Sequence, residues 1–265
     1  MTLDEKYERL LTALRGMGRV AVAYSAGVDS TFLLAAAHAA LGEDAVALTA
    51  VTAAIPQREV AEAVDFCKSL GVQHRLVEVD ALAVPAFREN APDRCYHCKK
   101  HIFSTLWDAA KSEDCFHLAE GSNLDDDLDY RPGHKAILEL GVESPLRAAE
   151  LTKAEIRALS ETLGLATAAK PSFACLASRV PYGEEITAEK LRRIDAAEQI
   201  LLQRGFSQFR VRSHGDLARI EVLPAEQEKL FALRKEIHDA LRALGFSYVT
   251  ADLYGFRSGS LNETL

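Results

Sequence analysis

The sequence predicts an α/β protein in which a parallel-sheet domain is joined to a second, smaller α+β domain. From Gly18 onward, short β-branched runs alternate with helical patterns, the signature of a parallel sheet flanked by helices. The first run, VAVAY at 20–24, is nearly all apolar, as a strand covered on both faces requires. A stretch rich in Pro, Ser, Ala and Gly, AAKPSFACLASRVPYGEE, then ends the alternation, and the order behind it is helix, strand, strand, helix, strand. At 265 residues the chain is long enough for two cores.

The N-terminal MTLDEKYERLLTAL is an amphipathic pattern carrying Asp4, Glu5 and Glu8, without the basic-then-apolar order of a signal peptide. No apolar run approaches the roughly 18 residues that a membrane span needs, so a cytoplasmic protein with no membrane partner is expected. After VAVAY, DSTFLLAAAHAAL reads as a helix and AVALTAV at 45–51 as a second strand. REVAEAVDFCKSLG is a helix stopped by Gly71, HRLVEVD a third strand and CFHLAEG a fourth. In LTKAEIRALSETLG, Thr152 and Glu155 form a capping box and Gly164 supplies the stop. This reading places the first domain at 1–168, a connecting segment with Cys175 at 169–186 and the small domain at 187–265. The small domain is expected to hold a helix at 187–204, strands at 208–213 and 218–223, a helix at 224–244 opened by Pro224, and a strand at 248–253. His214-Gly215-Asp216 is the expected hairpin turn between its first two strands.

An apolar fraction of 48% with 26% charged residues is ordinary for a globular protein. The net charge of -8 repels a polyanion, so a nucleic-acid partner is not expected. Five cysteines in a cytoplasmic protein read as thiols, metal ligands or catalysts rather than a disulfide framework, and Cys95 and Cys98 stand out by spacing.

AYSAGVDS puts Ser25 directly after a buried strand and Asp29-Ser30 at the start of a helix, so backbone N–H groups converge at a positive helix end. Ser25 and Ser30 add hydroxyl donors, Gly27 permits close backbone approach, and Asp29 can cap the helix or hold Mg2+ beside a pyrophosphate. An ordinary strand-turn-helix capped by Asp29 is the plain alternative. Neither GxxxxGK[ST] nor GxGxxG fits. The segment does resemble the SGGxDS loop of the PP-loop ATP pyrophosphatases, with Ala26 where that pattern has Gly. A positive φ at Ala26 would cost about 1 kcal/mol. EGSNLDD at 120–126, with Asn123 and Asp126, looks like the family's second nucleotide-side loop, and ESPL before LTKAEI like its lead into the next helix. The resemblance implies a parallel-sheet PP-loop ATP pyrophosphatase domain that binds ATP and Mg2+ and transfers AMP to an oxygen.

Cysteines near such a loop separate sulfur-transfer members from amide-forming ones. DRCYHCKK supplies Cys95 and Cys98, PSFACLASRVPYGE supplies Cys175, and with HGDLARIEV these segments resemble the LarE family of ATP-dependent sulfur transferases over nearly the full chain. That resemblance implies a small-molecule substrate, pyridinium-3,5-biscarboxylic acid mononucleotide, whose carboxylate becomes an adenylate and then a thiocarboxylate on the way to a nickel-pincer nucleotide. It also implies a homo-oligomer, a hexamer in the family. Cys175 is the catalytic candidate. Members with only its equivalent sacrifice that sulfur, whereas members with all three cysteines can bind a [4Fe-4S] cluster through Cys95, Cys98 and Cys175 and leave one iron open. Zinc completed by His97 or His101, or a redox dithiol, is the alternative for CxxC alone. Cys67 and Cys115 read as core. Ser178 and Arg179 follow Cys175 closely enough to hold the substrate or the displaced AMP. Arg210 and Arg212 share one strand face and suit the substrate's nucleotide phosphate, a solvated charged face being the alternative. Lys99 and Lys100 are weaker candidates. The competing functions are a PP-loop tRNA thiolase, which the acidic charge disfavours, an ammonia-using amide-forming ligase, for which Cys175 would be incidental, and a nonenzymatic nucleotide-binding module.

Overall fold

The computed structural model describes residues 1–128, 133–171, 174–257 and 259–261. The chain divides into two compact units, Met1–Ala81 with Cys95–Phe173, and Leu82–Arg94 with Ala174–Leu265.

The first unit opens with α1 (Leu3–Met17), whose Thr2 and Glu5 form a capping box. β1 (Val20–Ala23) leads through the phosphate loop into α2 (Val28–Leu41), and β2 (Ala45–Val51) into α3 (Gln57–Leu70). Gly71 closes α3 in the left-handed conformation that lacks a Cβ penalty, its N–H bonding the last carbonyls. β3 (Gln73–Glu78) precedes α4 (Pro85–Arg88) and α5 (Arg94–Ser112); β4 (His117–Ala119), α6 (Gly133–Glu139), α7 (Pro145–Ala148) and α8 (Lys153–Thr162) complete the unit. The strands lie in the order β3-β2-β1-β4, and all pairs are parallel.

Alternation along β1 explains the continuous apolar run. Val20 and Val22 face a core built with Leu10, Leu14, Phe32, Leu33 and Ile156. Ala21 faces the opposite core, with Val46, Leu48, Leu106, Ala110 and Leu118. Both faces of the sheet are therefore covered. Cys67 and Cys115 sit in these cores at 1% and 0% exposure, as the sequence implies, and burial pushes the Cys67 thiol up to about 12. Such thiols are held neutral and inert.

In the second unit α9 (Ala188–Gln203) covers the antiparallel pair β5 (Phe209–His214) and β6 (Leu217–Val222), and β7 (Tyr248–Ala251) joins β6 in parallel. The β5–β6 register pairs His214 with Leu217, leaving Gly215 and Asp216 as the turn, with Gly215 at positive φ. The helix expected at 224–244 is interrupted. A 3-10 turn at Pro224–Glu226 leads to α10 (Gln227–Ala232), and α11 (Arg234–Ala243) restarts after Leu233. The break lets Leu230 from one piece and Ile237 and Leu241 from the other reach the core beside Val211, Ile220 and Phe246.

The Leu82–Arg94 stretch belongs to this second body because Asn90, fully buried, donates through Nδ2 to the carbonyls of Val180, Pro181 and Glu184. Arg94 bonds Asn90 Oδ1 and lies over the Tyr182 ring, 4.3 Å from its centre. Among the described residues no helix is long and apolar enough to cross a membrane.

Candidate active site

The sheet has one topological switch point. From β1 the chain moves outward through β2 and β3 and then returns to place β4 on the other side of β1. The loops after β1 and β4 lie side by side at the carboxyl ends of these adjacent strands, the place where open α/β sheets bind ligands.

The loop after β1 is the segment expected to bind phosphate, 25–30. Ser25 is exposed, while Ala26 is buried at 1% exposure with φ 55, so the position where the related pattern has Gly does take the left-handed conformation. The N-cap of α2 is Gly27, which has no side chain to cap it. Asp29, one expected cap, stands instead at the second position of the helix; its carboxylate accepts from Asn123 Nδ2 at 3.3 Å and from Lys153 Nζ. Ser25 Oγ and Ser30 Oγ are 3.1 Å apart, and Ser30 Oγ also donates to the Gly27 carbonyl. The loop thus sets two hydroxyls beside a helix N-terminus whose first-turn N–H groups have no intrahelical acceptor.

The loop after β4 packs onto it. A Cβ on Gly121 would stand 3.0 Å from the Ser30 backbone nitrogen and 3.2 Å from Asp29 Cβ, so only glycine allows this approach. Glu120 is buried and accepts from the Ser122 N–H, the Ser122 hydroxyl and, at 2.6 Å, the Ser144 hydroxyl. Asn123 and Asp126 close the loop on itself, the Asn123 N–H donating to Asp126 Oδ2 at 3.0 Å. Asp125 accepts from the Lys153 N–H, which ties the loop to the start of α8.

Gly121 and Lys153 are functional candidates that the sequence reading did not single out. Lys153 occupies the first position of α8. A cation there opposes the helix dipole, and that unfavourable placement was the available signal. Lys170 went unremarked for a different reason, since its partners are distant in sequence: Nζ donates to the Ala26 carbonyl at 2.9 Å and to Glu59 at 2.7 Å.

Cys95 and Cys98 lie in the first turn of α5, one exposed and the other half-buried, three residues apart and so on one helix face. Among the described residues no three or more His, Cys, Asp or Glu side chains are gathered as a metal cage. Lys99 runs its aliphatic stem over Gly133, where an added Cβ would meet Lys99 Cδ at 2.5 Å, and Lys100 pairs with Glu139 at 2.9 Å on the surface.

In the second unit Cys175 is exposed at the head of a 3-10 turn, Leu176–Arg179. Its carbonyl accepts from the Ser178 N–H, from Ser178 Oγ at 2.8 Å and from Arg179 Nη1 at 3.1 Å. Arg179 is fully buried; it makes a two-point pair with Glu198 and also donates to the Ala174 carbonyl. In this structure it holds the Cys175 turn rather than facing outward. Arg210 and Arg212 are buried at 7% and 5% exposure, which removes the reading of a solvated face. Arg212 pairs with Glu221 through Nε and Nη2, and donates through Nη1 to the Ser178 carbonyl and through Nη2 to Ser260 Oγ. Burial, with the neighbouring Arg179 and Arg212 guanidiniums, pulls the Arg210 pKa down to about 10, while Glu198 and Glu221 oppose the shift. Glu221 is shared, since Arg219 Nη2 also donates to it at 3.1 Å and Arg219 Nε stands 3.7 Å from Asp252.

No protein-family model matches the chain. The chain is 41% identical over 99% of its length to an uncharacterized protein of Synechocystis, covering 99% of that protein. It is 38% identical over its whole length to the pyridinium-3,5-bisthiocarboxylic acid mononucleotide synthase of Lactiplantibacillus plantarum, covering 96% of it. An uncharacterized protein of Methanocaldococcus jannaschii is 27% identical over 91% of both chains. At 38% identity over its whole length to that synthase, the chain belongs to the LarE family.

Proposed function

We propose that this protein is an ATP-dependent sulfur transferase that adenylylates a carboxylate of pyridinium-3,5-biscarboxylic acid mononucleotide and converts it to a thiocarboxylate in nickel-pincer nucleotide synthesis. The observation that carries the proposal is the meeting of the phosphate loop with the Gly121 loop at the β1/β4 switch point. The identity to the Lactiplantibacillus plantarum synthase supports the substrate and the sulfur chemistry.

In the first step a substrate carboxylate oxygen attacks the α-phosphorus of ATP, the bond to the bridging oxygen breaks, and pyrophosphate leaves with the electron pair. Ser25, Ser30 and the first-turn N–H groups of α2 receive the phosphates. Asp29 offers the hard oxygen that Mg2+ prefers, and Lys153, already against Asp29, turns to the departing pyrophosphate. Asn123 orients the Asp29 carboxylate, and Asp126 holds the Asn123 backbone. In the second step a sulfide-level sulfur attacks the acyl carbon of the adenylate, the bond from that carbon to the phosphate oxygen breaks with its electron pair leaving on AMP, and the bond of the sulfur to its donor breaks to free the thiocarboxylate. Arg210 and Arg212 hold the substrate phosphate, and Ser178 stands beside Cys175 where substrate or AMP is bound.

The likeness of the three cysteines to the pattern of the family's cluster-binding members supports an open-site [4Fe-4S] cluster, for which thiolates are the right soft ligands. Cys95, Cys98 and Cys175 would hold it, and the group would supply a sulfide on its open iron. The test is pyrophosphate release from ATP with and without the biscarboxylated mononucleotide. Release that depends on the carboxylate and is lost in Asp29→Ala supports the proposal; substrate-independent release, or wild-type rates in the variant, refutes it.

A further inference from the structure

The phosphate loop of this chain is built on an alanine in a conformation that glycine adopts without penalty. Ala26 has φ 55 and is 1% exposed, so its Cβ sits in packed surroundings and its backbone in the left-handed region. An L-residue persists there only where its neighbours over-determine the geometry. One side chain bonds the Ala26 carbonyl directly. Lys170 Nζ donates to the Ala26 carbonyl at 2.9 Å, to Glu59 Oε2 at 2.7 Å and to Glu62 Oε2 at 2.5 Å. An ammonium has three hydrogens, and each has an acceptor.

The clamp is itself anchored at both ends. Glu59 belongs to the first turn of α3 and is 9% exposed at its side chain, where Arg58 Nε approaches its other oxygen at 3.7 Å. On the other side Arg157, from α8, donates through Nη2 to the Lys170 carbonyl at 2.9 Å and through Nη1 to the Ala168 carbonyl. Neither acid is needed to neutralise a lone lysine twice over. A pair of carboxylates fixes the direction of the ammonium toward the carbonyl rather than merely balancing its charge.

We infer that Lys170, aimed by Glu59 and Glu62, is a positioning residue that locks the Ala26 peptide in its left-handed conformation and so keeps the N–H groups of the phosphate loop converged on the nucleotide phosphates. The inference rests on the ATP-binding reading of that loop. It attributes to Lys170 no contact with ATP.

The discriminating feature is that glycine at position 26 needs no clamp. Hydrogen exchange of the backbone amides at 25–30 is measured in the full chain for wild type, Lys170→Met, Ala26→Gly and the double variant. Binding of the non-cleavable analogue α,β-methylene-ATP with Mg2+ is measured in the same four. Lys170→Met is expected to speed exchange by about ten-fold and to weaken the analogue by a similar factor, the scale of one charge-assisted hydrogen bond. On the Ala26→Gly background the same change is expected to move both by less than about three-fold. Glu62→Gln, which leaves Lys170 in place and its carboxylate site half-exposed, is expected to shift both measurements in the same direction by a smaller factor, and serves if Lys170→Met does not fold. Unchanged exchange in Lys170→Met, or an equal effect on both backgrounds, overturns the clamp. Altered exchange with unaltered analogue binding overturns its positioning role. The expected exchange pattern in a wild-type protein that binds no nucleotide would instead sink the ATP reading and leave the clamp standing.

Discussion

At the residue scale, Lys153 shows how one side chain takes on a task that the motif itself does not assign. The phosphate loop has no lysine of its own, and the cation beside it comes from α8, 124 positions along the chain from Asp29. Lys153→Met is therefore expected to lower the rate of pyrophosphate release at saturating ATP by about 100-fold, as removal of one preorganised charge donor does. A wild-type rate would show that Lys153 serves Asp29 alone. The arginines separate in another way. Arg210→Ala and Arg212→Ala are both expected to weaken substrate binding more than ATP binding, by roughly 1.5 to 3 kcal/mol each. Arg212→Ala should also lower the melting temperature, because Glu221 at 0% exposure loses its two-point partner, at a cost of about 3 kcal/mol. Calorimetry with both ligands and thermal melts of the two variants resolve these effects; substrate affinity unchanged from wild type in both variants would remove the phosphate assignment. Cys67 and Cys115 illustrate what the sequence makes legible at this scale, since an apolar neighbourhood along the chain becomes an apolar neighbourhood in space.

At the element scale, α8 joins several functions because its N-terminus is fixed. The Thr152–Glu155 capping box predicted from the sequence is present, with Glu155 Oε2 accepting the Thr152 N–H at 2.9 Å. Lys6 from α1 reaches the same carboxylate at 2.8 Å. Burial pushes the Glu155 pKa up, but the hydrogen bonds from Lys6 and Thr152 outweigh it and hold the carboxyl below its ordinary value. A carboxylate depressed in the folded state contributes stability above its unfolded pKa and loses it as pH falls through the folded one. Glu155→Gln is thus expected to destabilise the protein near neutral pH and to cost progressively less as pH drops below about 4. Thr152→Ala should cost about 1 kcal/mol through loss of the cap. Urea melts at two pH values read both, and a pH-independent Glu155→Gln effect would contradict the linkage. The interrupted helix at 227–243 marks the limit of local reading. Its periodicity is continuous in sequence, and the bend at Leu233 exists because two faces must reach one core.

At the scale of the whole molecule, the three cysteines decide between a protein that acts once and one that turns over. If Cys95, Cys98 and Cys175 share a cluster, replacing any one by Ala is expected to lose bound iron and sulfur transfer while carboxylate-dependent pyrophosphate release continues. If Cys175 donates its own sulfur, only Cys175→Ala should be inactive, and the spent protein should be lighter by one hydrogen sulfide at that residue. Iron content of anaerobically purified protein and intact mass distinguish the two, and full multi-turnover activity of iron-free Cys95→Ala would exclude the cluster. The sequence by itself determined what is written in neighbouring residues: the strand, loop and helix at 20–41, the parallel sheet with its smaller α+β partner, the Thr152–Glu155 capping box and the segments that mark the LarE family. Hydrophobic period, caps and turn chemistry act over one or two turns of chain, so they can be read along it. Only the tertiary structure decided that Asp29 is not a cap, that Arg179 is spent on Glu198, that Gly121 touches the Ser30 backbone and that Lys170 holds Ala26 from 144 positions away. Those partnerships join groups whose spacing along the chain carries no period, and they arise when packing brings buried polar atoms together and each must find a partner to offset the loss of water.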